Sequence, residues 1–377
     1  MRKVRFTILF VSVFLLFSQV VLFGQKRDDF THRFSKVLEL YHNDMFSAAS
    51  AEIVSIKKEL RDLTALETSR LESYYVFCNI KMGSPNMDAL VLALEERFGP
   101  APELSRAKLL QAHYYFGKGD YSKVVDILEE VEYRFLSSVE KKDFLFEQSF
   151  SQLRVGKLKL AEEGFEQLLR SKKNKYYLPA TYYSGYIAYL NGNFKGAVSA
   201  FENSLDHEFY GPFSKLYMLE SYLMLKDYDY VVENGNAVSE AVPDDMKPKV
   251  ARIVSQAYFA LEQPQKAKKW FDQYSSSGKE LSRKDNYYLG IISYSLEGYL
   301  QSIDSFLKVL TVEDSLSQSA YFHIANSYLN LKNKRKSLEN YKSASQMDFD
   351  ADIKEEASFN YGKLSFDLNR DIVPFHH

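Results

Sequence analysis

Apolar residues recur at intervals of three, four and seven along most of the chain, the period of an α-helix with one buried face. Tyr183, Ile187 and Leu190, for example, form one such stripe. The stripes are separated by short turns, and the turns repeat. Taking Gly192 in LNGNFKGAV as the anchor, the same turn recurs as GKGDYSKVV at Gly119, RVGKLKLAE at Gly156 and MLKDYDYVV at Lys226. It recurs again as ALEQPQKAK at Glu262, SLEGYLQSI at Glu297, NLKNKRKSL at Lys332 and DLNRDIVPF at Asn369. Successive anchors lie 37, 36, 34, 36, 35, 35 and 37 residues apart.

Side-chain volume follows the same register. Seven residues before the anchors stand Ala112, Ser149, Gly185, Leu219, Ser255, Gly290, Ala325 and Gly362, small in every case but Leu219. Five residues after them stand Val124, Ala161, Ala197, Val231, Ala267, Ser302 and Ser337, all modest in size. Nine after them stand Leu128, Phe165, Phe201, Gly235, Phe271, Phe306 and Tyr341, bulky in every case but Gly235. This predicts a helix–turn–helix unit. Small residues let the two helices approach, and the large one, a turn further along the same face, fills the space beside the contact.

The pattern resembles the tetratricopeptide repeat, whose unit of 34 residues carries small residues at these offsets. It covers about residues 105–370, with the unit holding Leu219 and Gly235 the least regular and Pro243 and Pro248 marking an unusual connection after it. Residues 33–60 fit more loosely, with Ala49 and Ile53 in the small and bulky roles. Residues 72–98 turn at Gly83 with an inserted SPN, and Gly99, Pro100 and Pro102 break the helix that follows. The resemblance implies an all-α fold, a right-handed α-solenoid of antiparallel helix pairs. The expected organisation is a signal peptide at 1–24, degenerate helical pairs at 25–104, the repeat array at 105–368 and the start of an incomplete terminal repeat at 369–377. That makes nine full pairs and one partial pair. The partial unit would show Tyr361, Leu364 and Phe366 to nothing, so either the chain is a piece of a longer protein or another surface covers that end. The sequence is similar to the front portion of larger exported repeat proteins of Bacteroidota type.

The beginning of the chain changes the picture of where it works. Arg2, Lys3 and Arg5 precede an almost purely apolar run from Phe6 to Phe23, and Gly24 before Gln25 offers a cleavage point. The run reads as a cleaved export signal, with an uncleaved membrane anchor as the alternative. The location expected is the periplasm, or the inner membrane if the helix is retained. No cysteine follows the run, and no other segment could span a membrane. Without those three cations the 48 basic residues fall to 45 against 50 acidic ones, a balance that argues against nucleic acid. Cys78 is the only cysteine among 377 residues, so no disulfide within the chain supports the fold. Scarce glycine (16) and proline (9) favour long helices over β-structure.

Chemistry is thin. His32, His42, His113, His207, His323, His376 and His377 show no two-ligand helical spacing, and the terminal pair reads as solvated, so no metal or other cofactor is expected. Cys78 lies in an apolar helix stripe as a structural thiol. Asp348, Asp350 and Asp352 suggest a calcium loop, but Ile353 and Phe359 stand where glycine and glutamate are required, so they read as a helix start. Lys332, Lys334, Arg335 and Lys336 read as a solvated turn. Neither a phosphate-binding glycine loop nor a paired acid–base set appears, and the chain is not expected to be an enzyme.

In tetratricopeptide arrays the first helices line the concave face. The matching positions here are Tyr182, Tyr186 and Tyr189, then Phe213, Tyr217 and Glu220, then Arg252 and Phe259, then Tyr287 and Tyr294, then Phe322 and Asn326. Tyrosine offers large contact area, little rotamer entropy to lose and one hydroxyl, which suits a peptide or partner protein. The family's carboxylate clamp uses Lys and Asn at such places, and aromatic residues stand here instead. The spacing leaves open whether these rings face a groove or pack between units. The expected role is an interaction scaffold or adaptor in the cell envelope. The alternative is the N-terminal sensor or regulatory region of a longer chain whose effector lies beyond residue 377.

Overall fold

The computed structural model describes residues 29–278 and 280–372, with side chains to residue 368. The expected signal at 1–24 and the terminal histidines lie outside that range. All regular structure among the described residues is helical. Helix α1 covers residues 29–42 and pairs with α2 (Phe46–Glu59). Then come α3 (Ala65–Lys81) with α4 (Met87–Phe98), α5 (Pro102–Lys118) with α6 (Tyr121–Glu129), and α7 (Ser138–Arg154) with α8 (Leu158–Leu169). They are followed by α9 (Tyr177–Leu190) and α10 (Phe194–Glu202), α11 (Gly211–Met224) and α12 (Tyr228–Ala241), and α13 (Lys247–Ala260) and α14 (Pro264–Ser275). The last are α15 (Arg283–Ser295) and α16 (Tyr299–Leu307), α17 (Ser315–Asn330) and α18 (Lys334–Ser345), and the single helix α19 (Ala351–Ile372). The architecture is an α-solenoid of antiparallel pairs. The chain divides into two compact units at Ile187 and Ala188, within α9.

One device makes the turn inside every pair. Asp44, Gly83, Gly119 and Gly156 in the first unit, and Gly192, Lys226, Glu262, Glu297 and Lys332 in the second, all have φ between 57° and 83°. After each, an amide reaches back five residues to the helix, as in Asp120 N–H to Tyr115 O at 3.1 Å and Asn193 N–H to Ala188 O at 2.9 Å. This is the Schellman closure, which satisfies carbonyls that a helix end leaves bare. Asp120, Asn193, Asp227 and Asn333 then cap the next helix with their side chains. The repeat read from the sequence is therefore, at the atomic level, a repeat of left-handed residues.

In the first unit Ser149 of α7 occupies the space a Cβ on Gly164 of α8 would need, its Oγ only 2.0 Å from that point. Ala161, Phe165, Leu168, Ala180 and Ile187 form the core below the contact. In the second unit Ser255 Oγ of α13 donates to the carbonyl of Ala267 of α14 at 2.8 Å, so the two small positions do meet. Phe271, Phe306 and Tyr341 are fully buried beside such contacts, each ring contributing about 1.5–3 kcal/mol by leaving water.

The irregular unit is a complete pair. Leu219 is fully buried in one core with Val231, Val238 and Val254. Gly235 leaves room that Val254 of α13 fills, its Cγ2 within 2.5 Å of where a Cβ would stand. The room beside the glycine is thus filled from the next pair, by a residue of the core that buries Leu219. Pro243 lies in the connection and Pro248 in the first turn of α13, where a missing N–H costs nothing.

Two expectations fail at the last helix. The eighth turn, placed at Asn369, is not made, for α19 runs on to Ile372. The next residue is Arg370, which has no acceptor to cap a following helix, unlike Asp120 or Asn333 after their turns. Nor are Tyr361 and Leu364 uncovered: Leu364 is buried and Tyr361 packs against the Phe322–Tyr341 core. Phe359 and Phe366 are the exposed rings.

Candidate functional site

All twelve predicted positions lie on first helices of their pairs. In the first unit Tyr182 is buried, with its ring 5.1 Å from Tyr183, and Tyr186 packs half-buried against the Phe165–Ile187 core. In the second unit Tyr189 meets Tyr217 at 5.2 Å, and Tyr217 stacks on Phe201 at 6.0 Å. The Lys249 ammonium lies 4.7 Å from the Tyr217 ring and 2.6 Å from Glu220 Oε2. Phe213 contacts Phe209 at 5.7 Å. Phe259 meets Tyr288 edge-on at 5.6 Å, and Arg252, also on α13, is half-buried.

Tyr287, Tyr294 and Phe322 surround His323, whose imidazole stacks on Phe306 at 5.3 Å. Tyr287 Oη lies 2.6 Å from Ser319 Oγ, and Asn326 accepts from the Tyr341 hydroxyl. Burial pushes the His323 pKa down to about 4, and its Nδ1 has no partner among the described residues. The second-unit positions thus gather into separate clusters. Tyr182 and Phe322 are buried, and the other aromatic positions are half-buried, one edge in a helix contact and one toward solvent.

The first unit holds a cavity that the sequence did not flag. It has a volume of about 380 Å³ and lies where α1, α3, α5 and α7 adjoin. Tyr41, Phe46, Leu109 and Leu110 form its apolar wall, and the rest is charged or polar. Arg106 Nε donates to Glu140 Oε1 at 2.8 Å. His113 Nδ1 lies 2.5 Å from Glu147 Oε1. Asp143 accepts from Lys175 at 2.6 Å and from the Tyr176 hydroxyl at 2.8 Å. His42, Asp44 and Lys81 complete the lining, and Lys81 is exposed.

The electrostatics are uneven. Glu147 is 3% exposed, and its Oε2 has no hydrogen-bond partner among the described residues. Its neighbour His113 keeps a side chain 62% exposed. The Glu147 hydrogen bond, and then its charge, raise the His113 pKa against the opposing effect of burial. Burial opposes the charge of Arg106, but the Glu140 hydrogen bond and carboxylate outweigh it. Burial lifts the Tyr41 hydroxyl to about 12, keeping it a neutral donor. A signal for this site did exist. Arg106 and Glu140 lie 34 residues apart, and so do His113 and Glu147. Opposite charges one repeat apart on first helices meet across neighbouring units.

Cys78 is buried, and burial raises its pKa to about 11, so the thiolate is disfavoured. Asp350 Oδ1 accepts from the amides of Asp352 and Ile353 and starts α19. Among the described residues no cluster of three His, Cys, Asp or Glu side chains could hold a metal ion. No described helix is long and apolar enough to cross a membrane. A larger hollow of about 570 Å³, between Phe30, Leu63 and Arg70, abuts residue 29, where the described chain begins.

No protein-family model matches this sequence, and no curated protein does. Among solved structures, the chain is similar to the apo form of RapI at 14% identity and a TM-score of 0.46, covering 89% of this chain and 98% of that one. It is similar to a tetratricopeptide repeat protein from Parabacteroides merdae at 10% identity and a TM-score of 0.35, covering 88% and 98%. A Rap protein complexed with competence and sporulation factor follows at 13% identity and a TM-score of 0.36, covering 88% and 99%. With every score below 0.5, these likenesses carry no argument about what this chain binds.

Proposed function

We propose that this protein is an interaction scaffold that holds a peptide or a partner protein on the side built by the first helix of each pair. The observation that carries this reading is the charged cavity of the first unit, which draws most of its lining from the first helices α1, α3, α5 and α7. Concave, mixed apolar and polar sites of this volume suit a side chain or a short segment of a ligand. The half-buried rings of Tyr217, Tyr287 and Tyr294 extend the same kind of surface in the second unit. Display, not chemistry, is the mechanism: each pair buries its core against its neighbours and adds one strip of first-helix surface. The work site is the cell envelope, a proposal resting on the cationic start and apolar run of residues 2–23.

The test is capture from the cell of origin with photo-reactive residues placed on the two sides of the pairs. Positions His113 and Lys81 report the first helices, and Leu92 and Leu160, both exposed on second helices, report the other side. A partner caught only from the second helices overturns the reading.

A further inference from the structure

We infer that the first-unit cavity is a subsite for a basic side chain, the guanidinium or ammonium group of a partner peptide, with Glu147 as its main acceptor. This rests on the scaffold reading above and names the chemistry of one part of its surface.

The starting point is the unpartnered oxygen. A carboxylate held at 3% exposure, with one oxygen lacking any donor, is costly unless a cation completes it. Among the described residues its one partner is His113, on the other oxygen. That imidazole is mostly exposed and makes no second hydrogen bond among the described residues, so its rotation away would free Glu147 Oε1 for another donor as well. Of the other carboxylates in the lining, Glu140 is held by Arg106 and Asp143 by Lys175, so Glu147 is the one with an oxygen left over for a ligand. Leu109, Leu110, Phe46 and Tyr41 give the methylene stem of a lysine or arginine an apolar wall while its head reaches the carboxylates. Arginine fits better than lysine, because its planar fork can present two N–H donors to the Glu147 carboxylate. An acidic ligand would leave Glu147 Oε2 unpaired.

The experiment titrates the full chain with Nα-acetyl-arginine amide, Nα-acetyl-norleucine amide and Nα-acetyl-glutamate amide, followed by calorimetry. The arginine probe should bind about tenfold more tightly than either other probe, the size of one charge-assisted contact. Glu147→Gln, nearly isosteric, should abolish that preference while circular dichroism stays unchanged. Lys81→Glu changes only an exposed rim residue and should tighten the arginine probe several-fold. If Glu147→Gln fails to fold, the Lys81→Glu result decides. Equal binding of all three probes, tighter binding of the glutamate probe, or no response to Lys81→Glu overturns the proposal. Should the arginine probe fail while a photo-reactive residue at His113 still captures a partner, the subsite chemistry is wrong and the scaffold reading stands.

Discussion

The ring of Phe306 on α16 stands against Gly290 on α15 so closely that a Cβ on the glycine would lie 2.7 Å from Cε1 and 2.8 Å from Cζ. Phe306 is fully buried, so the ring has nowhere to go. Gly290→Ala should therefore lower stability by about 1–3 kcal/mol through overpacking. Gly362 on α19 is the matching position with nothing within 4 Å. There Gly362→Ala should stabilise by about 0.5–1 kcal/mol, the ordinary helix preference. Urea unfolding of both variants checks the pair, and equal effects would remove the close-contact explanation.

The left-handed turns give a second contrast. Glu262 holds φ at 58° with a side chain that disfavours it, so Glu262→Gly should gain about 0.5–1 kcal/mol. Gly156 holds φ at 83° with open space around it. Gly156→Ala should lose about 1 kcal/mol from backbone strain alone. Thermal unfolding reads both signs.

Much of this was legible. The anchors at Gly119, Gly192 and Lys332 could be found because the left-handed turn recurs at a nearly constant period and each turn needs small residues at fixed offsets. Leu219 and Gly235 each broke the pattern in isolation. Only the structure shows how they are accommodated: Val254, a residue of the next pair, fills the room beside Gly235 in the core that buries Leu219. The tyrosine positions lie on first helices, but spacing cannot tell a ring facing solvent from one wedged between successive first helices. The charged cavity escaped notice because its partners, His113 and Glu147, lie 34 residues apart, and neither belongs to a local motif.

Two histidines should pull the pH profile in opposite directions. The folded pKa of His323, about 4, is below its usual value near 6.5. Its neutral form therefore supports the fold above about pH 6.5, and that support is lost as pH falls toward 4, about 3 kcal/mol in all. His113 has a raised folded pKa, so its contribution is complete below the usual histidine value and is lost as pH rises through the raised one. His323→Leu should flatten the acid limb of stability against pH, and His113→Gln should flatten the neutral-to-alkaline limb. A variant that leaves its limb unchanged removes that histidine from the account.

Export predicts a chemical end. Amino-terminal sequencing of the protein recovered from the cell envelope should begin at Gln25, after Gly24. Recovery from the membrane fraction with the sequence from Met1 retained would identify the apolar run as an anchor instead.

Photo-crosslinking from the two sides of the helix pairs reads out directly which side holds the partner. A reactive residue at His113 or Lys81 should capture one and the same partner, and Leu92 or Leu160 should capture none. Capture from Leu92 or Leu160 with nothing at His113 and Lys81 would contradict the assignment of the first-helix surface as the binding face.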